Sequence, residues 1–176
     1  PAELEFGDSI AIDTETQGLL LQRDRLCLIQ LSDGNGDAHL VQFKARQYDA
    51  PHLKKVLNNP KSIKIFHFAR FDIAAIKAYL RITCTPVFCT RIASRLTRTY
   101  SEKHGLKDIC DELLDIEISK QQQQSDWAAA ELSKEQQKYA ASDVLYLHQL
   151  MEVLKGRLIR EDRMDIAQAC FDFLPT

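Results

Sequence analysis

Five short runs rich in β-branched and large aliphatic residues, SIAID (9–13), LCLIQLS (26–32), AHLVQF (38–43), SIKIF (62–66) and PVF (86–88), all lie before Cys89. After that cysteine the pattern turns helical almost to the end. Short apolar runs bounded by Gly, Pro, Asn and Asp suit strands, whereas PHLKKVLNN (51–59) and FARFDIAAIKAYL (68–80) repeat their apolar residues with a helical period. Asp33-Gly34-Asn35-Gly36 reads as a hairpin turn between the second and third runs. Three strands joined by short turns, then strand, helix, strand and further helices, predict a mixed α/β sheet covered by helices. The 176 residues, 45% hydrophobic and 27% charged, have the size and composition of one globular domain spanning 1–176. There is no internal repeat, and KQQQQSDW (120–127) reads as a loop or a helix entry.

The first run carries straight on into two acids, as IAIDTETQGLL (10–20). Side chains alternate across a strand, so Asp13 and Glu15 share one face while Thr14 and Thr16 share the other. Two like charges that close to a core repel each other and lose solvation unless something positive compensates them. A metal ion is the obvious candidate. Two further acids stand at the margin of apolar helical stripes. In FHFARFDIAAIKAYL the stripe is Ala69, Ile73, Ile76 and Leu80, and at 100° per residue Asp72 falls roughly 70° from its centre. In KYAASDVLYLHQLMEVL, read as one helix, Ala140, Val144, Leu147, Met151 and Leu154 form the stripe, Asp143 lies at its edge and Tyr139 sits one turn before it. Four such acids suit hard divalent cations, and two ions a few ångströms apart suit the displacement of a phosphodiester. Taken singly, D-x-E is a frequent chance match, Asp72 and Asp143 could be solvated helix acids, and Tyr139 a core-edge residue; their joint order gives them weight.

The net charge of −2 argues against a protein that coats long nucleic acid. Locally the balance differs: from Arg81 to Cys110 six Lys or Arg stand against Glu102 and Asp108, giving +4, and DELLDIE then gives −4. Arg91, Arg95 and Arg98 lie at i, i+4 and i+7, one basic stripe if helical, with Lys103, His104 and Lys107 shortly after. Arg98 is a candidate for holding substrate phosphate, against a solvated or subunit-facing helix surface. The five cysteines are odd in number and fit no zinc spacing, so they read as small buried hydrophobes in a reducing compartment. No apolar run reaches bilayer-crossing length and PAELEFGD lacks the pattern of a signal peptide, so the expectation is a soluble cytoplasmic protein without membrane contact.

In that order, IAIDTETQGL, FHFARFD and YAASDVLYL resemble the three motifs of the DEDDy branch of the DnaQ-like 3′ to 5′ exonucleases. SDWAAAELSKEQQKYAASDVLYL resembles the ribonuclease D group, and the compact length looks closest to short oligoribonucleases of the nanoRNase C type. The resemblance implies an RNase H-like fold, a five-stranded mixed sheet with helices on both faces. It implies two divalent ions, Mg2+ or Mn2+, with Asp13 bridging them, Glu15 and Asp143 completing one site and Asp72 holding the second largely through water. Tyr139 would position the attacking water. His67 would lie near substrate, or else be a strand-end histidine satisfied by backbone; Leu19 would wedge between two bases, or else be a core leucine. Lys120 and Gln124 fall in a loop that lies near the active centre in the family, with Trp127 as its packing anchor. The implied activity is hydrolysis of short single-stranded RNA, dinucleotides included, to 5′-mononucleotides. Alternatives are ribonuclease D-like trimming of RNA 3′ ends, an exonuclease that also takes DNA, and an inactive nucleic-acid-binding module. Such short enzymes assemble as homo-oligomers, ring-shaped octamers, although this chain stops at FDFLPT, earlier than that group leads one to expect.

Overall fold

The computed structural model describes residues 6–45, 47–119 and 121–176. In chain order they form β1 (Ser9–Thr16), β2 (Leu26–Ser32), β3 (His39–Gln42), α1 (Pro51–Leu57), β4 (Ile63–Phe66), α2 (Ala69–Leu80), β5 (Val87–Cys89), α3 (Thr90–Thr97), α4 (Leu106–Leu114), α5 (Lys134–Leu145), α6 (Leu147–Arg160) and α7 (Met164–Phe173). One five-stranded sheet runs in the order β3-β2-β1-β4-β5. The β1–β2 and β2–β3 pairs are antiparallel, and β1–β4 and β4–β5 are parallel. This is the mixed sheet that the pattern predicts.

All of β2 is buried, which requires cover on both faces and explains why LCLIQLS reads as a continuous apolar run. The larger core gathers Ile12 and Ile29 from the strands with Ile73, Ile76 and Leu80 from α2 and Leu147, Leu150 and Leu154 from α6. A smaller cluster of Cys27, Leu28, Trp127 and Ala140 seats α5. Within β4 the wholly buried Lys64 satisfies its ammonium on the backbone carbonyls of Asn59 and Thr85. Gly34 and Gly36 take positive φ in the β2–β3 turn, as a hairpin there demands.

Two expectations need correction. Residues 17–25 between β1 and β2 make an ordered loop longer than a short hairpin connection, closed by its own backbone bonds. The helix expected through KYAASDVLYLHQLMEVL breaks at Tyr146 into α5 and α6. No Gly or Pro marks the break. The two halves have different partners, α5 packing on β1 and β2 and α6 on α3 and α4, and that divergence turns the axis.

Candidate active site

Asp13 and Glu15 stand near the carboxyl end of β1, on the face covered by α5. Glu15 is opposite Leu28 of the α5-facing cluster, and the ladder shifts register just after it. From α5 comes Asp143, and the ligand oxygens of Asp13, Glu15 and Asp143 all lie within 4.8 Å of one another. Asp72 reaches the cluster from α2 on the opposite side of β1, where Thr14 Oγ1 donates to its Oδ1 at 2.6 Å. Only 4% exposed, it is buried and not merely at the rim. The fourth acid is therefore oriented by the strand residue between the first two.

Among the described residues none of these four acids forms an ion pair. Burial above all, then repulsion from its neighbours, holds the Asp13 carboxyl well above its usual range. The same causes push Glu15 up to about 9. Burial raises Asp72 to about 7 against the lowering bond from Thr14, and Asp143 to about 7 against a bond from Tyr139. Hard carboxylate oxygens crowded together without a protein cation fit divalent ions, which would supply the missing positive charge. Asp13, Glu15 and Asp143 have the closeness of a shared ligand set, and Asp72 stands beside them on its bond from Thr14.

Tyr139 projects from α5 one turn before Asp143, its ring 5.9 Å from that of buried Trp127. Burial and the surrounding acids push its phenol far above the usual value, so it stays a neutral donor. The capping box at the start of α5, in which Ser133 and Gln136 satisfy each other's backbone N–H groups, fixes the helix that carries both side chains.

These groups floor a cleft of about 800 Å³ whose walls include Leu19, His67, Phe68, Arg91, Lys107 and Gln124. Asp13 and Glu15 follow the inner part of β1, His67 follows β4 and Arg91 opens α3 just after β5, so the cleft lies at the carboxyl ends of the three parallel strands. Leu19 is 81% exposed at the cleft mouth, so it is no core leucine. His67 Nδ1 lies 2.9 Å from Thr90 Oγ1, and burial followed by the nearby Arg91 charge lowers the ring to about 3, keeping it neutral. Lys120 lies outside the described residues.

Arg98 does not join them. It is the C-cap of α3, wholly buried, and its guanidinium binds Glu112, Ser94 Oγ and the carbonyl of Lys103. Its charge and donors are occupied, which removes it from the phosphate-binding candidates. Arg91 of the same stripe faces the cleft, its guanidinium carbon 4.7 Å from the Phe68 ring centroid. Sequence reasoning missed Phe68, a half-exposed aromatic at φ 67° that starts α2, a conformation rare for a bulky residue. It also missed Gln30, wholly buried opposite Asp13, whose Nε2 donates to Asp13 Oδ2 at 3.2 Å. A lone amide inside LCLIQLS was its available signal.

Residues 2–159 match the family model described as 3'-5' exonuclease. Ribonuclease D of Acidiphilium cryptum is 31% identical over 156 residues, which cover 89% of this chain and 39% of that relative. The chain thus spans well under half the length of such relatives. NrnC of Brucella melitensis bound to pGG is 56% identical with a TM-score of 0.93, covering 96% of this chain and 81% of that one. With bound Mg2+ the same protein matches at 55% identity and a TM-score of 0.91, over 96% and 82%. RNase D of Escherichia coli, an exoribonuclease involved in structured RNA processing, matches at 25% identity and a TM-score of 0.83, over 96% of this chain and 44% of that one. The RNase H-like arrangement inferred from the motifs is the one these neighbours share.

Proposed function

The chain belongs to the 3′–5′ exonuclease family, and from that membership we propose that it is a metal-dependent exoribonuclease that degrades short single-stranded RNA, dinucleotides included, to 5′-mononucleotides. The observation that carries the reading is the meeting of Asp13, Glu15 and Asp143 within 4.8 Å, with Asp72 beside them and none of the four in an ion pair among the described residues. The likeness to an NrnC that binds pGG, and the exposed Leu19 at the cleft mouth, support a short substrate.

Asp13, Glu15 and Asp143 would hold one divalent ion, and Asp72 with Asp13 would hold a second. Bound there, Mg2+ or Mn2+ would supply positive charge against the scissile phosphate and make water more acidic. Gln30 and Thr14 hold Asp13 and Asp72 in place, so neither carboxylate reorganises as substrate arrives. Tyr139, a neutral donor beside Asp143, would orient the attacking water in line with the last phosphodiester. Arg91 and Lys107 bring the cations that line the cleft, Leu19 would wedge against a base, and His67 and Gln124 would border the substrate. Assembly into a homo-oligomer, such as a ring-shaped octamer, and a cytoplasmic location belong to the same proposal. No helix among the described residues is long and apolar enough to cross a membrane.

The test is hydrolysis of a 5′-labelled diribonucleotide, a heptaribonucleotide and a DNA duplex, with Mn2+ and with chelator. Metal-dependent release of mononucleotide, fastest on the dinucleotide, is expected. Asp143→Asn should remove turnover by at least about 10³-fold with the fold intact, and Tyr139→Phe should lower kcat more than it changes KM. Full activity in chelator or in Asp143→Asn would sink the reading. Faster cleavage of the longer RNA or of the duplex would replace the short-RNA substrate with RNA 3′-end trimming or DNA.

A further inference from the structure

An apolar side chain held 81% exposed at a cleft mouth ordinarily belongs to a pliant loop, yet the turn bearing Leu19 is tied on every side. Asp24, only 6% exposed, turns its carboxylate inward and accepts from the Leu20 N–H at 3.0 Å, while Arg23 donates to it from outside. The N–H groups of Arg23 and Asp24 return to the Leu20 carbonyl at 2.8 and 2.7 Å, and Gln17 N–H donates to the Arg25 carbonyl at 3.0 Å. Thr16 Oγ1 donates to the Gly18 carbonyl at 2.6 Å. From α2, the helix that carries Asp72, the Tyr79 hydroxyl lies 2.8 Å from the Leu21 carbonyl and 3.0 Å from that of Asp24, so it anchors the far side of the turn.

Gly18 explains how the two sides of the turn come so close. A Cβ there would stand 2.4 Å from Asp24 Oδ2 and 2.9 Å from its Cγ. Any side chain would push the carboxylate off the Leu20 N–H. The backbone of Gly18 needs no unusual φ; the glycine is required by the space that Asp24 fills.

We propose that Asp24, Gly18 and Tyr79 are positioning residues that hold Leu19 as a fixed apolar plate for a substrate base, and that this clamp sets the preference for the shortest RNAs. The inference rests on the exoribonuclease reading above. A dinucleotide offers few groups to grip, so it has little binding energy to spend on ordering a loop; a turn that is already ordered spares it that loss. Longer RNA has further phosphates and bases to compensate. The anchor to α2 registers Leu19 against the helix that bears Asp72, so base and scissile phosphate are located by one rigid unit.

The experiment measures kcat and KM for a diribonucleotide and a heptaribonucleotide in the full chain with Mn2+. Asp24→Ala should lose on the order of tenfold in kcat/KM on the diribonucleotide, through KM, and less than about threefold on the heptamer. Asp24→Asn, which keeps an acceptor for Leu20 N–H, should restore most of that loss. Gly18→Ala should reproduce the Asp24→Ala pattern alone yet add little in the Asp24→Ala background, because the clash is then gone. In a Leu19→Ala background Asp24→Ala should have no further length-selective effect. Equal losses on both lengths, or a selective loss that persists without Leu19, would overturn the clamp. A parent that cleaves neither RNA would instead overturn the exoribonuclease reading itself, and the two failures are thereby told apart.

Discussion

Asp13 and Arg98 are both ionisable side chains drawn into the fold, and opposite in what the fold does with them. Asp13 receives one amide bond from Gln30 and is otherwise surrounded by acids, so its charge remains to be matched. Arg98 is matched completely, with Glu112 gripping Nε and Nη2 and the Lys103 carbonyl and Ser94 taking Nη1. Glu112 also accepts from the Tyr100 hydroxyl, which helps hold its carboxyl down to about 2. Arg98→Ala should therefore lower stability by on the order of 2–3 kcal/mol while leaving the salt dependence of RNA binding unchanged. Denaturant melts and Kd against salt check both halves; a flattened salt slope in the variant would return Arg98 to the phosphate site. The arginine shows where sequence reading stops. A spacing of i, i+4, i+7 says which residues share a helical face, but α3 ends at Thr97 and Arg98 turns inward to Glu112 of α4, a partner that the spacing does not show. The four acids and Tyr139 were legible because their motifs stand in a fixed order along the chain. Gln30 and Thr14 were not, because a donor to a carboxylate leaves no periodic mark.

At the scale of elements, α5 carries Tyr139 and Asp143 and rests on a small cluster of Cys27, Leu28, Trp127 and Ala140, while its Val144 joins the main core. So thin a seat makes its N-terminal cap matter. Ser133→Ala removes the acceptor for the Gln136 N–H and should cost about 1 kcal/mol. Because the frayed turn lies next to Tyr139, kcat should fall more than the stability loss alone explains, and hydrogen exchange at 134–140 should speed up. Unchanged exchange there would show that the strands, not the cap, hold α5. Four of the five strands were legible to within a residue at their ends, and β1 runs three residues beyond SIAID, because short apolar runs bounded by turn residues have few other solutions. The break at Tyr146 was hidden, since neither Leu145 nor Tyr146 disfavours a helix and the cause is the different partners of α5 and α6.

For the whole molecule, the acid cluster sets a dependence of stability on pH and metal. In the metal-free fold Asp72 and Asp143 titrate at about 7 and Glu15 at about 9, all above the value of about 4 they have unfolded. The folded state then holds more protons than the unfolded one, so the stability present below about pH 4 is lost as pH rises through the folded values. Metal-free protein should melt at a lower temperature at about pH 8.5 than at about pH 5.5. Divalent ions bind the ionised form, so Mn2+ should raise Tm more at the higher pH. At a hundredfold excess over Kd the gain is about 2.7 kcal/mol, or on the order of 5–10 °C for a chain of this size. A melt indifferent to both pH and metal would mean that the four carboxylates do not act as one site.

The meeting of Asp13 from β1 with Asp143 from α5 has a biosynthetic consequence. The first carboxylate leaves the ribosome long before the other is translated. A nascent chain therefore carries no assembled acid cluster, and the site comes into being only once α5 has docked.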